Sequence, residues 1–252
     1  MADGTHFDLP SERELGRRYA AKLFEAKNNF PQPVVDFKIY NNTYFNVGSS
    51  IDNDPMSARI DGNVTAMNVV SIVDSAAHGF VTKIDDGLGS FTLKADGSLF
   101  NGSYTKLAWV KLASSSYVNN LISALNPTQR HHLYISGGKP AAGHGSTTTV
   151  TYVQSPSVIP VNTWAHIGVV YDSVAQTMGL YMNGVLVSSK TGVPPAPPAT
   201  GIVDLQMSRY GYGTTSYGID GHMIDNKVYN KVLSPTQVST IYNFEVPFKS
   251  GY

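Results

Sequence analysis

The stretch Trp164-Ala165-His166-Ile167-Gly168-Val169-Val170-Tyr171-Asp172, followed closely by Leu180-Tyr181-Met182-Asn183-Gly184-Val185-Leu186-Val187, decides the fold. In an extended chain successive side chains alternate between faces. Trp164, His166, Gly168 and Val170 then share one face, and Ala165, Ile167, Val169 and Tyr171 share the other. Both faces are largely apolar, as in a central strand covered on both sides. Asn183-Gly184 separates two further apolar runs, and both residues tolerate positive φ. The pattern predicts a two-residue type I′ hairpin there.

Outward from this core the same texture continues. Strand-like runs are expected at Val34 to Tyr40, Thr65 to Val73, Ser90 to Ala95, Tyr104 to Leu112, Val118 to Leu125 and Arg130 to Ser136. Others follow at Thr147 to Val153, Thr163 to Asp172, Met178 to Met182, Val185 to Ser189, Ile202 to Ser208 and His222 to Tyr229. Asp61-Gly62, Asp86-Gly87, Asp96-Gly97 and Asn101-Gly102 punctuate them as turns. Many short strands with regular turns argue for an all-β antiparallel sandwich or jelly roll. Pro194-Pro195-Ala196-Pro197-Pro198 reads as an extended exposed spacer. Near the C-terminus, Ser234-Pro235-Thr236-Gln237 supplies an N-cap, a proline at N1 and a glutamine at N3. A short helix is expected to follow, packed back by Val238, Ile241 and Tyr242.

Residues 1–33 differ from the rest and are read as an N-terminal amphipathic helix and linker, with the sandwich filling 34–252. Ten of the first thirty residues are charged, about a third, against about an eighth of the remainder. Ser11-Glu12-Arg13-Glu14 has capping-box form, and a helix is expected from about Glu12 to Lys27. Its stripe of Leu15, Tyr19 and Leu23, with Phe24 beside it, is narrow. A lone helix of this length is marginal in water. The stripe is therefore expected to pack on its own domain or on another subunit, which makes these four residues candidate assembly contacts.

The ordered set Leu107-Ala108-Trp109-Val110-Lys111, Trp164 to Asp172, Leu180 to Gly184, and Gly221-His222-Met223-Ile224-Asp225-Asn226-Lys227-Val228-Tyr229-Asn230-Lys231-Val232-Leu233-Ser234 resembles the laminin G-like branch of the concanavalin A-like jelly rolls. The resemblance covers about residues 104–242. It implies a binding or structural module more often than an enzyme, of the kind found in surface glycan-binding modules and phage structural proteins.

The chemistry-bearing residues agree with a non-enzymatic role. Glutamate occurs only at Glu12, Glu14, Glu25 and Glu245, so the sandwich lacks the glutamate pair that the related β-glucanases use. Cysteine is absent, and no Gly-x-Ser-x-Gly elbow is present. The seven histidines form no His-x-x-x-His pair. His131 and His132 are adjacent, so on a strand they point to opposite faces. Gly137-Gly138-Lys139 reads as a turn, and Ala141 to Thr149 as a polar loop. No cofactor is required. Calcium is the one metal admitted: some relatives bind it with aspartate, and Asp225 stands at the matching position with Asp220 five residues before it.

Recognition is expected at Ser208-Arg209-Tyr210-Gly211-Tyr212-Gly213-Thr214-Thr215-Ser216-Tyr217-Gly218. Arg209, Tyr210, Tyr212 and Tyr217 offer aromatic surface beside polar groups, which suits either a glycan or a protein partner. Eighteen basic and eighteen acidic residues balance to a net charge of +0, which argues against a nucleic-acid surface. No run of eighteen apolar residues is present to insert into a membrane, and the first residues do not form a secretion signal. The expectation is a virion structural protein, a capsid decoration or a tail or fibre component, assembled with other virion proteins and as a homo-oligomer. Its lectin-like sandwich would face host-surface glycans. The alternative is an extracellular or cell-surface carbohydrate-binding module. A glycoside hydrolase or lyase fits less well.

Overall fold

The computed structural model describes residues 30–40, 43–46, 64–67, 70–75, 79–84, 90–115, 118–125, 130–146, 148–207, 210 and 217–245. Of the preceding segment it describes Gly16, Tyr19, Ala20, Leu23, Phe24, Ala26 and Lys27. The described strands in chain order are β1 Val35–Tyr40, β2 Thr43–Asn46, β3 Val64–Met67, β4 Val70–Ser75, β5 Gly79–Ile84, β6 Ser90–Asp96 and β7 Tyr104–Leu112. They continue as β8 Val118–Asn120, β9 Ile122–Leu125, β10 Arg130–Ser136, β11 Lys139–Gly145 and β12 Val150–Gln154. The last are β13 Ala165–Asp172, β14 Thr177–Met182, β15 Val185–Thr191, β16 Ile202–Met207 and β17 Gly221–Tyr229, followed by helix α1, Pro235–Glu245.

They form two antiparallel sheets. One runs β15-β14-β13-β7-β17-β1-β2, with β5 also on β17 and β4 on β5. The other runs β12-β11-β10-β9-β16-β6-β3, with β8 also on β10. This is the two-sheet sandwich that the alternation and turn spacing predict. β13 lies between β14 and β7, as a strand apolar on both faces requires. Ala165, Ile167, Val169 and Tyr171 enter the main core with Ala108, Val110, Leu133, Ile135 and Leu205. Val170 and His166 face the other way, Val170 among Leu107, Tyr181, Val238 and Ile241 and His166 against Trp109 and Tyr242. Gly168 sits on that second face because Leu107 packs across it: a Cβ there would meet Leu107 Cδ2 at 2.6 Å.

Local signals hold where they are chemically specific. Asn183 and Gly184 have φ of 51° and 78°, as a type I′ turn demands. The Ser234 amide donates to Gln237 Oε1 at 2.8 Å while the Gln237 amide donates to Ser234 Oγ at 3.2 Å. That reciprocal pair caps α1, which covers the outer face of the first sheet.

Three expectations need correction. The single run Thr65 to Val73 is two strands belonging to different sheets: β3 pairs β6, and β4 pairs β5. Gly137 and Gly138 form the expected turn, with φ of 56° and 73°, but Lys139 to Gly145 is a strand rather than the approach to a polar loop. Its Pro, Ala and Gly residues are poor strand formers in isolation, but β10 and β12 pair with it on both edges. The N-terminal helix is not established over its expected length. Glu12 to Lys27 lies largely outside the described residues, and the helix that completes the sandwich is α1. Within that segment Phe24 stacks on Phe244 of α1 at 4.3 Å and on Phe30 at 5.4 Å. This contact lies within the chain, so Phe24 is a packing residue of its own domain.

The core contains a basic group that the sequence does not announce. Lys106 of β7 is fully buried on the inner face. Its Nζ donates to the Ile122 carbonyl at 3.3 Å and stands 5.4 Å and 5.5 Å from the Phe100 and Tyr104 ring centroids. No carboxylate pairs with it among the described residues, and burial lowers its pKa to about 7. Beside it lie His131 and His144, also buried. His144 Nε2 donates to the Pro194 carbonyl at 2.8 Å, so Nδ1 accepts from the Tyr104 hydroxyl at 2.9 Å. Burial holds both histidines below their usual pKa, with the Lys106 charge adding to the effect. The neutral imidazoles are thus part of the folded core.

Candidate functional site

Alternation along β10 sends Leu133 and Ile135 into the core and leaves His132 and Tyr134 on the outer face of the second sheet. His131 and His132 do part to opposite faces, as adjacency on a strand dictates. Across β11 the register pairs His132 with Gly143 and Gly143 with Tyr152 of β12. Gly143 makes this row possible. A Cβ there would meet Tyr152 Cδ1 at 2.5 Å, so the tyrosine ring occupies the space a side chain would need. Tyr152 is 45% exposed.

Four rings gather on this face. His132 stacks near Tyr152 with centroids 6.4 Å apart and meets the edge of Tyr210 at 4.9 Å. Tyr134 lies edge-on to Tyr152 at 6.2 Å and to His132 at 6.4 Å. Burial, and then the neighbouring Tyr152, raises the pKa of the Tyr134 hydroxyl, so it remains a hydrogen-bond donor at neutral pH. Gln154, exposed, follows Tyr152 by one alternation on the same strand. Rings with polar tips on an open sheet face can stack on the apolar side of a sugar and hydrogen-bond its hydroxyl rim.

Only part of the expected tyrosine loop is placed. Tyr210 joins His132 at the ring cluster. Tyr217 is 45% exposed, and its carbonyl accepts at 3.3 Å from the amide of Asn120, the residue that pairs with Tyr134. Both therefore border β10. Arg209 and Tyr212 lie outside the described residues. Sequence reasoning missed His132, Tyr134 and Tyr152, which belong to three-strand register rather than to any motif. The one legible clue is the outward phase of His132.

The two aspartates considered for calcium are not brought together. Asp220 precedes β17, and its amide and carbonyl engage Asn119 Oδ1 and the Ala113 amide. Asp225 is buried with φ of 54° in the β17 irregularity between Ile224 and Lys227. Five residues of strand place them roughly 15 Å apart. Among the described residues, no three His, Cys, Asp or Glu side chains converge as a metal site. Of the assembly candidates, Tyr19 and Leu23 are 71% and 70% exposed, and Leu15 lies outside the described residues. No helix among the described residues is long and apolar enough to cross a membrane.

Comparison with known proteins agrees with this architecture. The binding domain of botulinum neurotoxin serotype D superposes with a TM-score of 0.64 at 12% identity, over 85% of this chain and 52% of that one. The neurotoxin DC binding domain, solved in complex with SialylT, gives 0.62 at 12% identity, over 84% and 51%. Thus this chain spans about half the length of those proteins. Domain 4 of AbnA, a GH43 extracellular arabinanase from Geobacillus stearothermophilus solved with arabinotriose, gives 0.58 at 17% identity, over 82% and 99%. At these identities the likeness is one of fold. No curated protein sequence matches the chain. A family model, Laminin_G_3, does match, over residues 85–239. With well over half of the chain matched and both sheets of the sandwich in place, the protein belongs to the concanavalin A-like lectin/glucanases superfamily.

Proposed function

We propose that this protein is a non-enzymatic glycan-binding module whose contact surface is the outer face of β10 and β12 with Tyr210. The observation that carries this reading is the convergence of His132, Tyr134, Tyr152 and Tyr210, drawn from three separate segments onto one open sheet face. Support comes from the fold neighbours, of which one is solved with arabinotriose and another with SialylT. The glutamate map supports the absence of hydrolysis, since Glu245 is the only glutamate after Glu25 and is tied up in the core. Replacing Tyr152 with alanine is expected to weaken polysaccharide retention about tenfold or more, the scale of losing a central aromatic contact. Affinity electrophoresis against a polysaccharide panel reads this directly. Unchanged retention by a folded Tyr152→Ala variant would exclude this face as the site.

The setting we propose is a virion, with the sandwich displayed outward as a decoration or tail component. The favouring observation is the exposure of Tyr19 and Leu23, four residues apart, in a charged segment that Phe24 pins to α1. Two truncations separate anchoring from assembly. Removing residues 1–23 keeps Phe24 and is expected to leave thermal stability unchanged while abolishing oligomer or particle incorporation. Removing 1–30 also strips Phe24 and Phe30 from Phe244 and is expected to lower the melting temperature. Normal assembly of the 1–23 truncation, measured by sedimentation and particle co-purification, would rule out this attachment.

A further inference from the structure

We infer that Asn120 is a positioning residue of the glycan face: it fastens the chain entering and the chain leaving the Tyr210 connection at one point beside Tyr134, and so holds Tyr210 against His132. This rests on the glycan-binding reading above. The motive is a polar group buried where exposure is expected. Asn120 stands directly opposite Tyr134 and shares its face. Ser123 and Gln206 stand opposite each other. Both alternate with core residues, Ser123 with Ile122 and Ala124, Gln206 with Leu205 and Met207. All three side chains therefore leave the second sheet on its outer face, yet Asn120, Ser123 and Gln206 are only 2%, 0% and 2% exposed.

The hydrogen bonds show what this group holds. Asn120 Nδ2 donates to the Gln206 carbonyl at 3.2 Å. The Ser123 hydroxyl donates to Asn120 Oδ1 and so fixes which end of the amide faces β16. β16 ends one residue beyond Gln206, at Met207. The chain returns at Tyr217, whose carbonyl accepts from the main-chain amide of Asn120 at 3.3 Å. Further on, the Asp220 amide donates to Asn119 Oδ1 at 3.4 Å. Two neighbouring asparagines of β8 thus tie both stems of the connection that carries Tyr210. Nine residues lie between Met207 and Tyr217, two of them glycines. Ordering such a stretch costs conformational entropy, and stems fixed beforehand lower the part of that cost left to ligand binding. Position 120 requires an amide because it donates toward β16 and accepts from Ser123 at once. A carboxylate of the same shape only accepts, and it sets an oxygen against the Gln206 carbonyl.

The test combines Asn120→Asp with Tyr210→Ala, singly and together, in the full-length protein. Affinity electrophoresis runs each variant through gels carrying linear arabinan, dextran or xylan. On the polymer that retards the wild type, Asn120→Asp is expected to weaken binding about three- to tenfold. When residue 210 is already alanine the same change is expected to weaken it less than about 1.5-fold, because the two residues act as a unit. Ser123→Ala, a milder change, is expected to weaken binding about twofold with the same dependence on Tyr210. A readout without ligand is the fluorine resonance of Tyr210 in fluorotyrosine-labelled protein, assigned by Tyr210→Phe and expected to shift in Asn120→Asp. Melting curves check that each variant is folded; if Asn120→Asp does not fold, Ser123→Ala decides. Undiminished retardation of the Asn120→Asp variant, equal losses in both Tyr210 backgrounds, or an unmoved Tyr210 resonance would overturn the positioning role and leave the aromatic site standing. A shifted resonance in a protein that no polymer retards would overturn the glycan reading and the binding role of Asn120 with it, while the tie between Asn120 and Tyr210 holds.

Discussion

Replacing Lys106 with methionine is expected to stabilise the protein at neutral pH by about 3–5 kcal/mol. The lysine is fully buried, without a carboxylate partner, and its pKa falls from 10.5 to about 7. In the unfolded chain the amine is protonated at pH 7; in the folded chain it gives up the proton or keeps a charge in an apolar core. Either way folding works against the ordinary pKa, and every tenfold loss of proton affinity corresponds to about 1.4 kcal/mol. Methionine has similar length and carries no charge, so it removes the penalty with little change in packing. For a chain of this size the gain corresponds to a rise in melting temperature on the order of 10 °C.

The pH profile gives the sign an independent check. A base with a depressed folded pKa makes the unfolded state the better proton binder between the two pKa values. Stability then rises with pH across that window. The wild type is expected to gain stability from pH 7 to about 10, and Lys106→Met to be flat there. Below about 6.5 both proteins are expected to lose stability as pH falls, because His131 and His144 are held neutral in the fold. Above about 10 both lose it again, since burial raises the buried tyrosines Tyr104 and Tyr171 above their unfolded values. Urea unfolding at pH 6, 7.5 and 9 reads these slopes. A destabilised methionine variant would mean that the lysine is worth more to the core than its desolvation costs.

Lys106 also marks where a sequence stops being informative. Along β7 it occupies an inner-face position between Tyr104 and Ala108, and periodicity alone cannot say that a charged residue there is enclosed by the opposite sheet. What can be read is local. The Asn183-Gly184 hairpin and the Ser234-Gln237 cap are fixed by the chemistry of two or four neighbouring residues, and both are present. The two-faced strand ending at Asp172 is readable because its alternation is unbroken. β11 is not, since its Ala and Gly residues become a strand only through pairing on both edges. The ring cluster has the same origin. Tyr152 and His132 stand twenty residues apart in sequence and meet only because Gly143 lies between them in the sheet. The tyrosine-rich stretch draws attention to Tyr210 and Tyr217 by composition, and Tyr210 does reach the cluster, yet its partners there come from strands.

Replacing Glu245 with alanine is expected to destabilise the protein by about 3–5 kcal/mol, although the residue lies at the last turn of a terminal helix. Glu245 is 5% exposed, and its partners include Lys227 and Trp109. Its Oε1 pairs with Lys227 Nζ, and its Oε2 accepts from Trp109 Nε1 at 2.7 Å. Trp109 is itself buried on the outer face of β7, stacked against Tyr242 of α1. The carboxylate therefore ties α1 to β7 and β17 at once. Without it a buried lysine charge and a buried indole N–H each lose this acceptor, and the cost of that loss exceeds the value of the pair itself. Glu245→Gln keeps an acceptor for the indole but removes the counter-charge, so its effect is expected to fall between wild type and alanine. Changing both ends, Lys227→Met with Glu245→Leu, is expected to recover most of the stability, because apolar residues of similar volume replace a buried ion pair at little cost. Denaturant unfolding followed by the fluorescence of Trp109 and Trp164 supplies the cycle. Phe24 and Phe30 line the same cleft as Lys227 and Glu245. In a chain lacking residues 1–30 water reaches the pair, and Glu245→Ala is then expected to cost less than in the full-length protein. Equal costs in the two backgrounds would show that the N-terminal phenylalanines do not shield the ion pair.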